Sequence, residues 1–205
     1  MSSLSNRLRP NSIVLLEKMA GSKLTHSEVT DLPILPFGDK TPKIDSKAYV
    51  SPQATIVGDV DIGAQASIWP GAVIRGDQSS VRIGESSCIQ DSVVIHAHIE
   101  DNPVIIGSLT IVGTASVLHG VYIGDLASIG EGCVIFDGAT LGEGVKLAPG
   151  SIVPANMVIP PRSVNSGAPA AQIRDLSREE VEKQSARAET IAQVFQKLRR
   201  WQQLV

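Results

Sequence analysis

Two of the four histidines in the chain, His96 and His119, directly follow an aliphatic residue, Ile95 and Leu118. Neutral imidazole is a metal ligand and a proton carrier near neutral pH. Two imidazoles one strand spacing apart can converge on a single cation, because metal–nitrogen bonds are about 2.0–2.1 Å long. Arg75 stands in the same position after Ile74. Zinc catalysis needs three protein ligands and an open position for water, so a third donor has to be sought. Asp91 and Thr114 are the candidates by position, each two places after an aliphatic residue (Ile89, Val112). That offset puts them on the face adjacent to the histidines, turned toward a neighbouring subunit.

The element that must position these residues is legible as a repeat. Aliphatic residues recur every six positions through Ile44, Val50, Ile56, Ile62, Ile68 and Ile74. The phase slips and resumes at Ile83, Ile89 and Ile95, slips again to Ile106, Val112 and Leu118, and then runs from Ile123 to Ile159. A small or aliphatic residue follows four places later, as at Ala54, Val60, Ala66, Ala127 and Cys133, and glycine often comes directly after the aliphatic residue. A period of six fits neither a helix nor simple strand alternation. It fits short strands joined by sharp turns, three to a triangular coil, stacked as a parallel β-helix with glycine-rich corners. Roughly six to seven coils at about 4.8 Å each make a prism about 30 Å tall. Counting faces places Arg75, His96 and His119 in one outward column on successive coils. Arg75-Gly76-Asp77 falls where the phase slips, and an Arg–carboxylate pair there, with Asp91 as a further acid across an interface, would fix the register of a trimer.

Three segments follow: an N-terminal extension over 1–43, the β-helix over 44–168, and a C-terminal segment over 169–205 that carries a helix at 177–204. Ser177 and Glu180 form a capping box. Val181, Ala188, Ile191, Val194, Phe195, Leu198 and Trp201 fall on one helical stripe. Pro33, Pro36, Gly38 and Pro42 read as an extended linker. The first sixteen residues carry Arg7 and Arg9 and no acid, a pattern shared by mitochondrial targeting segments and by amphipathic helices that bind a partner or a membrane surface.

Composition excludes several classes. With 18 basic against 21 acidic residues and a net charge of -3, the chain lacks the basic excess of a nucleic-acid binder. No apolar run is long enough to span a bilayer. Aromatics are 3% of the chain, so the core must be aliphatic. Cys88 and Cys133 make no disulfide framework and read as reduced, buried fillers. Gly142-Glu143-Gly144 is a corner of the prism, not a dinucleotide fingerprint.

The segments IWPGAVIRGD, IGESSCIQDSVVIH, VGTASVLHGVYIGD and IPPRSVNSGAPAAQIRDLSREE resemble the γ-class carbonic anhydrases, most closely the mitochondrial branch found in respiratory complex I (NADH:ubiquinone oxidoreductase). The resemblance covers about residue 44 to the C-terminus. It implies a left-handed β-helix and a trimer whose zinc sits between subunits, held by two histidines of one chain and one of the next. On the matching positions, His96 and His119 are metal ligands, and Arg75, Asp77, Gln90 and Asp91 are polar residues near the site and the trimer contact, with Gln90, Arg75 and Asp77 as the catalytic candidates. Thr114 stands where the remaining ligand histidine is expected. A neutral hydroxyl is a poor zinc ligand, so a homotrimer would lack a complete site, while a heterotrimer could complete one with a histidine from a different chain. His98, two residues from His96, is a substitute ligand or proton shuttle. The expected reading is a structural or assembly subunit on the matrix side of the mitochondrial inner membrane, peripheral, partnered by two further γ-carbonic anhydrase-like chains and the membrane arm of complex I. The alternatives are an active enzyme hydrating carbon dioxide and a hexapeptide-repeat acyltransferase.

Overall fold

The computed structural model describes residues 34–97 and 102–202. It is a parallel β-solenoid of about seven turns with one C-terminal helix, the left-handed β-helix architecture expected from the repeat. Each six-residue unit contributes a strand of as few as two residues, such as Ser67–Ile68 or Cys88–Ile89. Three columns of inward aliphatic residues stack in register. The first face pairs Ile62, Ile83, Ile106, Ile123, Leu141 and Ile159. The second pairs Val50, Ile68, Ile89, Val112, Ile129 and Leu147. The third pairs Ile56, Ile74, Ile95, Leu118, Ile135 and Val153. From Ile56 upward these side chains are buried and form one continuous core with the small residues Ala54, Ala66, Ala72, Ala127, Cys133 and Ala139. Both cysteines are buried and unpaired with each other, and burial pushes the Cys88 thiol up to about 11.

The glycines that directly follow the aliphatic residues serve rung spacing and are not the sharpest point of the corner. The left-handed backbone falls two residues later, at Gln65, Gly71, Ser86, Ser92, Leu109, Ala115 and their counterparts. A Cβ on Gly113 would lie 2.6 Å from the backbone of Gly130, and one on Gly84 would lie 2.5 Å from Gly107. Close stacking of rungs at these corners therefore demands the missing side chain.

Three findings depart from the sequence reading. Ile34–Leu35, inside the stretch read as linker, already pairs parallel with Ile56–Val57 on the third face. Ser163–Gly167 and Ala170–Asp175 form an antiparallel pair that closes the C-terminal end of the second face. There Asn165 takes an inward aliphatic position, 1% exposed, its amide donating to Ser163 Oγ at 2.8 Å. The third departure concerns the helix, Arg178–Gln202. Ser177 and Glu180 cap it reciprocally as expected, with Glu180 N donating to Ser177 Oγ and Ser177 N to the Glu180 carboxylate. Arg174 grips the same carboxylate with two bonds and, with Ser177, holds it down at about 2. The helix lies on the second face: Ala188 is buried against Cys88 and Ile111, with Trp69, Leu109 and Ile191 alongside, and Gln184 Nε2 donates to the Leu126 carbonyl. Val194, placed on the buried stripe by sequence, is 46% exposed. A flat prism face accepts only a narrow seam, and at 100° per residue Val194 lies about 80° off the line through Gln184, Ala188 and Ile191.

Candidate functional site

The position after each inward residue decides where side chains can do chemistry. On the first face it is occupied by Gly63, Gly84, Gly107, Gly124 and Gly142, and on the second by Trp69, Gln90, Gly113, Gly130 and Ala148. On the third face it carries Val57, Arg75, His96, His119 and Phe136 in succession. The third face is thus the one where outward groups stack without interruption. Arg75 pairs in register with His96, and His96 with His119. The two imidazoles meet edge to face, with centroids 5.5 Å apart and planes at 77°.

Asp77 joins the column because of the phase slip. From Ile74 to Ile83 the spacing is nine instead of six. The long strand Val73–Ile83 absorbs the three extra residues as a bulge, while Thr55–Ile62 beneath it keeps its count. Gly58 faces Gly76 at the start of the bulge. The bulge turns the Asp77 carboxylate back over the column. Oδ2 accepts from Arg75 Nη2 at 2.7 Å and from Nε at 3.2 Å. Oδ1 accepts from Gln78 N at 3.0 Å and lies 3.5 Å from His96 Nε2. Burial alone would push this carboxyl up, but the Arg75 guanidinium and the Gln78 amide outweigh it and hold Asp77 below the usual carboxylate range. Arg75 is the exposed partner, and Asp77 and the His96 side chain are each 12% exposed. The acid that pairs with Arg75 inside the chain is Asp77; Asp91 belongs to another corner.

Gln90, Asp91 and Thr114 come together elsewhere. Gln90 Oε1 accepts from the Thr114 amide at 3.1 Å and sits 3.5 Å from the Thr114 hydroxyl, and the Asp91 carbonyl accepts from Ala115 N at 2.9 Å. This cluster sits on the corner that opens the third face, whereas His119 sits at the end of the same side. The turn at Thr114–Ala115 and the strand Val117–His119 lie between them, so the two stand at opposite ends of one side of the prism. No metal with bonds of about 2 Å joins those ends. Among the described residues no group of three or more His, Cys, Asp or Glu could hold an ion. One chain therefore supplies two imidazoles in register and does not by itself fit a catalytic zinc. His98 lies outside the described residues, as does the N-terminal stretch read as a targeting or amphipathic segment. The Lys40 ammonium, which donates to the Asp77 and Gln78 carbonyls at 3.0 and 3.2 Å, was not anticipated. It is 37 residues from Asp77 in sequence, and no motif marks it.

The fold defines a hexapeptide-repeat protein. Among solved structures, a hexapeptide transferase family protein from Anaplasma phagocytophilum matches with a TM-score of 0.75 at 33% identity, over 78% of this chain and 95% of the other. A Bacillus cereus protein provisionally named an acetyltransferase matches with a TM-score of 0.79 at 35% identity, over 84% and 98%. No family model matches the chain.

The curated relatives narrow the class. A probable carbonic anhydrase of Methanocaldococcus jannaschii is 45% identical over 67% of this chain and 86% of its own length. Gamma carbonic anhydrase 1, mitochondrial, of Arabidopsis thaliana is 36% identical over 70% of this chain and 54% of its own. The chain belongs to the γ-class carbonic anhydrase family. It spans about half the length of the Arabidopsis relatives it matches. Among the described residues no helix is long and apolar enough to cross a membrane.

Proposed function

We propose that this chain is a γ-carbonic anhydrase-like subunit of mitochondrial respiratory complex I, with a structural or assembly role and an incomplete metal site. It sits on the matrix side of the inner membrane, in a trimer with two further γ-carbonic anhydrase-like chains. The observation that carries the reading is Thr114. The position where the family's second ligand histidine is expected holds a hydroxyl engaged with Gln90, while His96 and His119 remain stacked in register. In a mixed trimer, His96 and His119 would meet a histidine from a different neighbour, giving at most one shared zinc site around this chain. A homotrimer would have none. Bound zinc would supply an activated water for hydration. This chain's own contribution is to hold two imidazoles in register, with Arg75 and Asp77 bracing His96 from the rung below. The mitochondrial relatives support the compartment.

The test is the composition of the native assembly together with its metal content. The expected result is two or more kinds of chain in a membrane complex larger than a trimer, no metal in the purified homo-oligomer, and no hydration of carbon dioxide by it. A homo-oligomer that carries zinc and hydrates carbon dioxide overturns the proposal in favour of a working enzyme, the reading favoured by the similarity to the Methanocaldococcus protein. Acetyl transfer from coenzyme A by the purified chain overturns both.

A further inference from the structure

We infer that Lys40 is a positioning residue for the Arg75–Asp77–His96 column, acting through the backbone of the bulge that carries Asp77. The inference rests on that column being the working part of the chain. Two of the groups to be satisfied are main-chain carbonyls. The three extra residues between Ile74 and Ile83 have no counterpart on the strand below, where Asp59 alone opposes Asp77–Ser80. Of the bulge carbonyls that Lys40 reaches, Asp77 O is held in a partly buried bond, where a lost partner costs free energy, and Gln78 O in an exposed one. The Lys40 ammonium donates to two consecutive carbonyls, Asp77 O and Gln78 O. One cation spanning two successive peptides fixes the direction of the Asp77 Cα–Cβ bond.

Lys40 is itself anchored. Ile34–Leu35 pairs with Ile56–Val57, directly beneath Ile74 and Arg75 on the third face. A tight turn then reverses the chain, with Phe37 N donating to Lys40 O at 2.8 Å and Lys40 N to Phe37 O at 3.1 Å. Gly38 takes the left-handed conformation that the turn requires. The anchored turn leaves the lysine stem as the connection to the bulge. A cation is also favoured here electrostatically, because Asp59 lies near enough for Lys40 to help lower its carboxyl, after Arg82. The sequence of action runs from the Lys40 ammonium to the Asp77 and Gln78 carbonyls, then to the Asp77 carboxylate, and from it to Arg75 and His96.

The readout is the Arg75 side chain, whose Nε–H donates to Asp77. In the full chain, solvent exchange of the Arg75 Nε proton is followed by NMR beside the ladder amides of Val94 and Val117 on the same face, which donate to Ser116 and Cys133. Lys40→Met should accelerate Arg75 Nε exchange by about tenfold or more and leave the Val94 and Val117 amides within about twofold of wild type. Lys40→Gln, which keeps part of the stem and a neutral donor, should fall between. Asp77→Asn sets the fully released rate. Wild-type exchange in both Lys40 variants overturns the inference. So does an acceleration shared equally by the ladder amides, which would mark general loosening. Neither outcome depends on metal or on activity, so the proposed function stands or falls separately.

Discussion

Asp77 shows how a residue's role here depends on an irregularity. Its carboxylate sits below the usual range because Arg75 and the Gln78 amide offset the cost of burial. A group whose folded value is depressed contributes stability that is present above its unfolded value and lost as pH falls through the folded one. Asp77→Asn should therefore cost about 1 kcal/mol at pH 7, a figure kept small by the exposure of Arg75. The deficit should shrink toward zero as pH falls below about 4, the unfolded value of an aspartate. Denaturant unfolding of both proteins across that range checks this. A deficit that persists unchanged at pH 3 would mean that Asp77 acts through shape and not through charge. The stacking of Arg75, His96 and His119 was legible in sequence, because a hexad count transfers directly to register. The Arg75–Asp77 pair was legible from its position at the slip. The approach of Asp77 to His96 and the reach of Lys40 were not, since both depend on which way a three-residue bulge turns.

At the scale of the element, the three extra residues between Ile74 and Ile83 are taken up where two rungs approach closely. Gly58 and Gly76 mark that place. A Cβ on Gly58 would lie 2.5 Å from the Gly76 carbonyl oxygen, and Gly58 has φ +80°. Gly132 also has positive φ (+65°), but nothing lies within 4 Å of its Cβ position. Both Gly→Ala changes incur the left-handed strain of roughly 1–2 kcal/mol, and only the first adds a collision with backbone. Gly58→Ala should cost about 3 kcal/mol or more, against about 1 kcal/mol for Gly132→Ala. Thermal or denaturant melts of the two variants compare them directly, and equal losses would show that backbone strain alone sets the cost. The same contrast explains what sequence could reveal about the elements. Alternating aliphatic and small residues announce every coil from Ile56 to Ile159. A two-residue strand such as Ile34–Leu35, set between Pro33 and Pro36, has no room to show a period. The antiparallel return at Ala170–Asp175 abandons the period altogether and takes its register from the two-residue turn Ala168–Pro169, across which Gly167 pairs with Ala170. Val194 was misplaced because a helical stripe gives only an angle, and the width of the seam belongs to the surface it meets.

At the scale of the whole molecule, the proposed shared site would draw on both ends of the third face, which a single prism holds apart. His96 and His119 stand at one end, and Gln90 and Thr114 at the corner that opens the other. On that proposal the two ends would meet between chains. If copies of this chain do join those ends, Thr114→His should supply the missing donor. Structural zinc sites bind with roughly 10–16 kcal/mol over four ligands, about 3 kcal/mol for each, so a third imidazole should tighten cobalt binding by about 100-fold. The signal would be visible-range absorption of tetrahedral cobalt, with one ion per interface. It should weaken on dilution as the oligomer dissociates, and His119→Ala in the same background should abolish it. If Thr114→His changes nothing while the oligomer persists, copies of this chain do not bring those two ends together, and the third donor must come from a chain of another kind. Binding that survives dilution to monomer would contradict the separation of the two ends and, with it, the sharing of the site between chains.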